Sequence, residues 1–464
     1  IMVKKPHFVL VLDVGKTNVK IHILDERQQS VETFVKSNKP VNCDPYPHSD
    51  VEGIWQWLVE SIQSFAARDE IGAIAVSTHG ATAALIDSSA SGQGLVLPVM
   101  DYEWPGVESV NALYEGARPP FGETCSPALP GGLNLGRQLL WQQQNMRDDF
   151  NRADALLMYP QYWTWRLTGS LVSEVSSLGC HTDLWSPTGK TFSSLVTSQG
   201  WESLFPPLAS AWSVAGLVSD SVAAEIGLPA SCRVHVGVHD SNASMLRFLL
   251  AKPGEDFCVV SSGTWVICMS TGNLHDALDP AKDMLANVDV QGNPVPCVRF
   301  MGGREYAEIC ELTGCTPGDQ VNHQDIEDIV SGKVMALPDF SGGSGPFGGR
   351  EPEIRGKPLN GAALATVYCA LMVDYCLGLL KVEGDVIVVG SFVQNPLLCS
   401  MISQLRDQQP VYVSSDQAGT VRGAAQLANW SVPVSVAMKR RDPTHVNGLE
   451  EYRCRWYEQI EGSP

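Results

Sequence analysis

Two stretches built on one plan constrain this chain more than any other feature. The first, residues 8–25, reads FVLVLDVGKTNVKIHILD. Residues 8–12 are an apolar run, and Val19, Ile21 and Ile23 alternate with Lys20 and His22, which predicts two strands joined by a tight turn. The second, residues 257–269, reads FCVVSSGTWVICM: an apolar run, a Ser-Ser-Gly-Thr turn and another apolar run. One hairpin of this kind per half predicts two related lobes that serve one polyphosphate. Taken singly, either hairpin is equally compatible with a plain turn, because short glycine motifs recur by chance.

The first turn carries the chemistry for an anion. Gly15 allows close approach of a ligand. Thr17 and Asn18 offer hydroxyl and amide groups, and Lys16 and Lys20 offer positive charge. Asp13, at the end of the first strand, can hold Mg²⁺ directly or through water. Such a turn suits the phosphates of a nucleotide.

At 464 residues the chain has length for two domains, each able to bury its own core. The repeated hairpin places the division near 245–254, giving domains 1–248 and 249–464. The formal charge of −19 argues against nucleic acid or an anionic membrane as partner, while local lysines and helix N-termini still permit an anionic ligand. The thirteen cysteines include no CxxC pair, so they read as reduced core residues in a cytoplasmic protein. Lys4 and Lys5 precede an apolar run that ends at Asp13, which reads as a buried strand and not as a leader. No stretch of about 20 apolar residues is evident, so no membrane span is expected.

Along the chain, residues 51–68 show helical spacing behind Asp50 as N-cap, and 71–78 read as a strand ending at His79. Residues 84–87 and 95–100 read as further strands, 135–145 and 150–157 as helices, and 159–167 as an aromatic-rich helix stopped by Gly169. Residues 234–244, VHVGVHDSNAS, run from strand into helix, with His239 and Asp240 at the junction. That is a common position for reactive groups in open α/β sheets and equally the position of an N-capping aspartate. In the second half, the glycines at 302–303 and 342–345 read as turns, 361–381 as a long apolar helix, and 385–389 as a strand. That strand opens into Gly390, Ser391 and a helix starting at Asn395-Pro396, a site for a nucleotide's phosphate or ribose. Residues 411–414 read as a strand and 416–428 as a helix packed closely through Gly423.

The order of these motifs resembles the FGGY family of carbohydrate kinases, within the actin-like ATPase superfamily. It is carried by Asp13-Val-Gly-Lys-Thr-Asn18, Ser77-Thr-His-Gly80, Arg137-Gln-Leu-Leu-Trp141, Arg166-Leu-Thr-Gly169, His239-Asp240-Ser241, Ser261-Ser-Gly-Thr-Trp265, Gly390-Ser391 and Arg422-Gly-Ala-Ala425. The Ser-Ser-Gly-Thr-Trp and His-Asp-Ser stretches look most like the L-fuculose and L-rhamnulose kinase branch. The resemblance implies an α/β fold of two actin-like, ribonuclease H-like domains with an interdomain active-site cleft. It implies ATP and Mg²⁺ as cofactors and a sugar, in particular a ketose, as substrate.

The resemblance also implies roles. Asp240 is the base, Asp13 the Mg²⁺-linked acid, and Gly15, Lys16, Thr17, Asn18 and Lys20 the first phosphate loop. Gly263 and Thr264 form the second loop; Gly390, Ser391 and Asn395 form the adenosine motif. His79, Glu103 and His239 join Asp240 at the sugar. Two departures stand out. Phe392 replaces the usual run of glycines, where it would narrow the site or stack on a base. The sugar loop Asp101-Tyr-Glu-Trp104 is acidic, which suits a neutral polyhydroxylated substrate over an acidic one. A catalytically weak, actin-like regulator that binds sugar or nucleotide is the alternative. A homodimer is the commonest assembly for such a chain.

Overall fold

The computed structural model describes residues 7–272, 278–416 and 419–461. These fall into two compact units. Of the described residues, the first unit takes 7–253, 286–294 and 419–435; the second takes the rest.

Each unit is organised by one of the two hairpins. In the first unit, Phe8–Val14 and Asn18–Leu24 pair antiparallel, with Asp13 opposite Lys20. Ser30–Ser37 adds antiparallel to the outer side of the hairpin. On the inner side, Phe8–Val14 pairs parallel with Ile71–Thr78, which pairs parallel with Arg233–His235. The alternation of the hairpin strands buries Val19, Ile21 and Ile23, while the central run Val9–Leu12 is buried on both faces.

The second unit repeats this order. Phe257–Ser262 and Val266–Ser270 form the antiparallel hairpin, and Pro294–Phe300 adds antiparallel to its outer strand. Asp385–Gly390 then pairs parallel with Phe257–Ser262, and Val411–Ser414 pairs parallel with Asp385–Gly390. Three antiparallel strands beside two parallel ones, found twice, make the actin-like, ribonuclease H-like plan that the family resemblance implies.

Local chemistry accounts for the helices. Asp50 caps Val51–Ser64, its carboxylate accepting the Gly53 N–H at 3.0 Å. Tyr159–Thr168 starts on Pro160 and ends at Gly169, whose φ of +77° favours glycine. Asp240–Ala251 packs against Gly419–Ala428, and a Cβ at Gly423 would stand 1.7 Å from the Ala243 carbonyl oxygen. Gly361–Leu379 is apolar on every side and forms the core of the second unit.

Several elements differ from expectation. Residues 95–100 form no strand; only single bridges tie Leu95 to Ile86 and Met100 to His48. Residues 150–157 are not one helix, because Ala155–Met158 pairs with Ala83–Ile86 as a strand. A four-residue apolar run carries no period to separate the two readings. Gly302 and Gly303 open the helix Gly302–Leu312 instead of making a turn. Gly361–Leu379 has a mean hydropathy of 1.7 and by length and composition could cross a membrane, contrary to the expectation that no such stretch exists. It is almost wholly buried within its unit.

Candidate active site

In the first unit the parallel strands end at a cluster of ionisable groups. Phe8–Val14 delivers Asp13, Ile71–Thr78 delivers His79, and Val238–His239 runs beside Ile71–Thr78 to deliver Asp240. Burial pushes the Asp13 carboxyl up to about 6, the nearby negative charge of Asp240 adds to this, and Lys20 opposes it. Two carboxylates that disfavour each other's charge are a natural place for a cation between them. Among the described residues no group of three or more His, Cys, Asp or Glu side chains could by itself hold a metal. A divalent ion here would therefore draw most of its oxygens from water and phosphate, as Mg²⁺ does.

The turn of the first hairpin is held open by its own backbone. The Gly15 N–H donates to the Asn18 carbonyl at 2.9 Å, and the Asn38 amide donates to the Gly15 carbonyl at 2.7 Å. A Cβ at position 15 would stand 2.9 Å from the Asn18 oxygen. Thr17 and Asn18 are exposed at the tip. Lys16 turns the other way. Its ammonium pairs with the Asp101 carboxylate, lies 3.4 Å from Glu103, and sits 4.5 Å above the Tyr102 ring. The acidic loop and the first turn are thus one assembly, which sequence spacing did not reveal.

His79 belongs to the same assembly. Its Nδ1 lies 2.9 Å from the Gly80 carbonyl, and its ring meets Tyr102 and Tyr159 edge-on or tilted at 5.6 and 5.3 Å. Desolvation holds its pKa below the ordinary histidine value. A small recess of about 20 Å³, room for one water, is lined by Lys16, Asn38, His79, Thr82 and Asp101 among others.

Asp240 is the first residue of its helix, with His239 as the capping position. One carboxylate oxygen accepts the Ser241 N–H at 2.6 Å and lies 3.2 Å from His239 Nε2. The side chain remains about one third exposed, so the carboxylate is oriented yet reachable. His239 is buried; its Nδ1 faces the Asn242 amide at 3.2 Å, and its pKa is lowered by desolvation.

The second unit holds a separate cleft of about 850 Å³. Gly263 and Thr264, from the hairpin turn, lie on its wall with Ser391, Phe392 and Asn395. So do Gly303, Arg304 and Tyr306, from the N-terminal turn of Gly302–Leu312, and residues 317–321. A Cβ on Gly303 would stand 2.3 Å from the Gly263 carbonyl oxygen, so only glycine fits. The sequence reading missed Gly303, Arg304 and Tyr306. The signal was present: a strand, two glycines and a helix, the same pattern that drew attention to Gly390.

Gly390 has a φ of +86°, and a Cβ there would lie 2.0 Å from the Ser262 carbonyl oxygen. Ser262 Oγ donates to the Val389 carbonyl at 2.6 Å and accepts the Phe392 N–H at 2.9 Å, which clamps the turn. Asn395 uses both ends of its amide within the protein: the oxygen caps the Leu398 N–H at 3.1 Å and the nitrogen donates to Thr366 at 3.0 Å. Phe392 is 5% exposed and packs with the core, and it contributes to the cleft wall at the place its sequence position suggests.

Residues 8–246 match the N-terminal domain of the FGGY family of carbohydrate kinases, and residues 254–435 match the carbohydrate kinase FGGY C-terminal domain. The chain belongs to the FGGY family. It is 26% identical over 282 residues to an L-fuculokinase of Escherichia coli K12, a match spanning 57% of each chain. The alignment thus spans little more than half the length of that relative. It is 25% identical over 459 residues to the xylulose kinase of the same organism, covering 90% of this chain and 88% of the other. The crystal structure of a carbohydrate kinase from Novosphingobium aromaticivorans superposes with a TM-score of 0.90 at 32% identity, covering 97% of this FGGY chain and all of the other.

Proposed function

We propose that the protein transfers the γ-phosphate of ATP to a hydroxyl of a neutral sugar, in particular a ketose such as L-fuculose, L-rhamnulose or a ketopentose. The observation that carries this reading is the convergence of Asp13 and Asp240 at the ends of the two strands that flank Ile71–Thr78, one at a phosphate-type turn and the other an oriented, reachable carboxylate. Asp240 takes the proton of the attacking hydroxyl. The new bond joins that oxygen to the γ-phosphorus, the bond to the bridging oxygen breaks, and its electron pair leaves with ADP. Asp13 would hold Mg²⁺, which would supply positive charge against the phosphates.

Residues 1–248 serve the sugar and residues 249–464 the nucleotide. Thr17, Asn18 and Lys20 are the phosphate-contacting residues of the first hairpin, and Gly263 and Thr264 those of the second. Gly390 and Ser391 border the nucleoside, while Asn395 shapes that wall as a helix cap. His79, His239 and Glu103 line the sugar end. Asp101 and Glu103 outnumber Lys16 in the loop there, and this residual acidity supports a hydroxyl-rich neutral ligand over a carboxylate.

A coupled ADP-release assay with Mg-ATP against ketoses, aldoses and polyols tests this. Turnover confined to one or a few ketoses is expected. ATP hydrolysis that is indifferent to every sugar would contradict it.

A further inference from the structure

Glu174 is a fully buried carboxylate that the reaction above does not use. It precedes the short helix Val175–Leu178 and both of its oxygens are engaged by one residue. Oε1 accepts the Ser176 N–H at 3.0 Å and Oε2 accepts the Ser176 hydroxyl at 2.5 Å. The Ser176 oxygen in turn accepts the backbone N–H of His239 at 3.1 Å. His239 is the residue immediately before Asp240, and its ring lies 3.2 Å from the Asp240 carboxylate.

We infer that Glu174 is a positioning residue for the base: through Ser176 it anchors the His239 backbone and so fixes where the Asp240 carboxylate stands. The chain of donors has one direction, His239 N–H to Ser176 oxygen, and Ser176 O–H to Glu174. Each bond in such a chain polarises the next, and the enclosed, fixed geometry holds whether or not the last acceptor is ionised. It is also fully enclosed, with Glu174 and Ser176 both at 0% exposure, so water does not compete for these bonds. The strand side is fixed independently, His239 lying opposite Thr78 in the parallel ladder. Together the ladder and the Ser176 bond hold the junction between strand and helix from two sides. Burial of a carboxyl beside the like charge of Asp289 is unfavourable and pushes Glu174 up to about 7. A plain helix cap needs no such group, since serine or threonine caps a four-residue helix without it.

The inference rests on the kinase reading, and the experiment separates the two. Kinetics are measured with the best sugar for wild type, Ser176→Ala, Ser176→Thr and Glu174→Gln, with melting temperature and ADP affinity recorded for each. Misplacing a catalytic group by about 1 Å costs on the order of a hundredfold in rate. Ser176→Ala and Glu174→Gln should therefore lower kcat at least tenfold while the sugar KM and ADP affinity stay within about twofold. Ser176→Thr, which keeps the hydroxyl, should recover most of kcat. Amide exchange at His239 should quicken in Ser176→Ala and not in Ser176→Thr. An active wild type whose kcat is unchanged by Ser176→Ala and Glu174→Gln overturns the inference and leaves the kinase reading standing. So does a parallel loss of kcat, KM and ADP affinity that Ser176→Thr fails to rescue. A wild type inactive on every sugar overturns both.

Discussion

Lys16 of the first hairpin turn pairs with Asp101, eighty-five residues further along the chain, and rests over the ring of the adjoining Tyr102. A lysine in a phosphate-type turn is expected to point at phosphate. Here it ties that turn to the acidic loop beside His79 instead. The Asp101 side chain is only 7% exposed, so removing its partner would leave a nearly buried carboxylate without its cation.

Lys16→Ala should therefore act on the sugar more than on the nucleotide. We expect the sugar KM to rise by roughly tenfold, with the ATP KM within about threefold. Initial-rate kinetics with each substrate varied in turn check this; the reverse pattern would return Lys16 to the phosphates.

Asp13 must be ionised to hold a cation, and burial pushes its carboxyl up to about 6. Affinity for Mg²⁺ in the presence of ADP should therefore climb as pH rises through 6 and level off above it. Asp240→Asn removes the like charge that helps raise Asp13, so the climb should move to lower pH. Calorimetric titrations between pH 5 and 8 check both statements.

Glu305, in the second unit, is buried against Tyr368 and the Phe340 N–H, and desolvation raises its carboxyl from 4.5 to about 7. The native state thus binds this proton more tightly than the unfolded chain. Stability falls as pH rises from 4.5 to 7 and is level beyond, with an upper bound of roughly 3 kcal/mol for this group. Glu305→Gln should flatten the decline in melting temperature over that window. An equally steep decline in the variant would show that other groups cause it.

Gly390 and Phe392 make a contrast that a single set of melts and ADP titrations can read. Gly390→Ala meets both a positive φ and a 2.0 Å approach to the Ser262 oxygen, and it should displace the turn and weaken ADP binding. Phe392 is core, so Phe392→Ala should cost about 3–5 kcal/mol of stability, with the ADP site altered only secondarily. This burial weakens the main sequence argument for a regulator without turnover, since Phe392 packs largely into the core behind the cleft wall.

Much of the fold was legible because the duplicated hairpin fixes a strand order. Apolar runs of this kind read as interior strands that need a hydrogen-bonding partner on each edge, and Ile71–Thr78 and Asp385–Gly390 supply the second edge in parallel. Short apolar runs were not legible: residues 155–158 carry no period, and their strand character comes from Ala83–Ile86 across the ladder. Asp13, His79 and Asp240 were legible as strand-end polar residues. Lys16 was found but its partner was not, because an ion pair across eighty-five residues leaves no local trace. Glu174 and Ser176 were missed for the same reason, and Gly303 because its glycine pair was taken for a turn.

The central claim is that Asp240 takes the proton of the sugar hydroxyl. The measurement is turnover and sugar binding of Asp240→Asn, side by side, with the best substrate of the wild type. The account predicts that kcat falls by about a thousandfold or more while the sugar dissociation constant, read by calorimetry, changes by less than about fivefold. A variant that keeps a tenth of wild-type kcat, or that loses binding and turnover together, would contradict it.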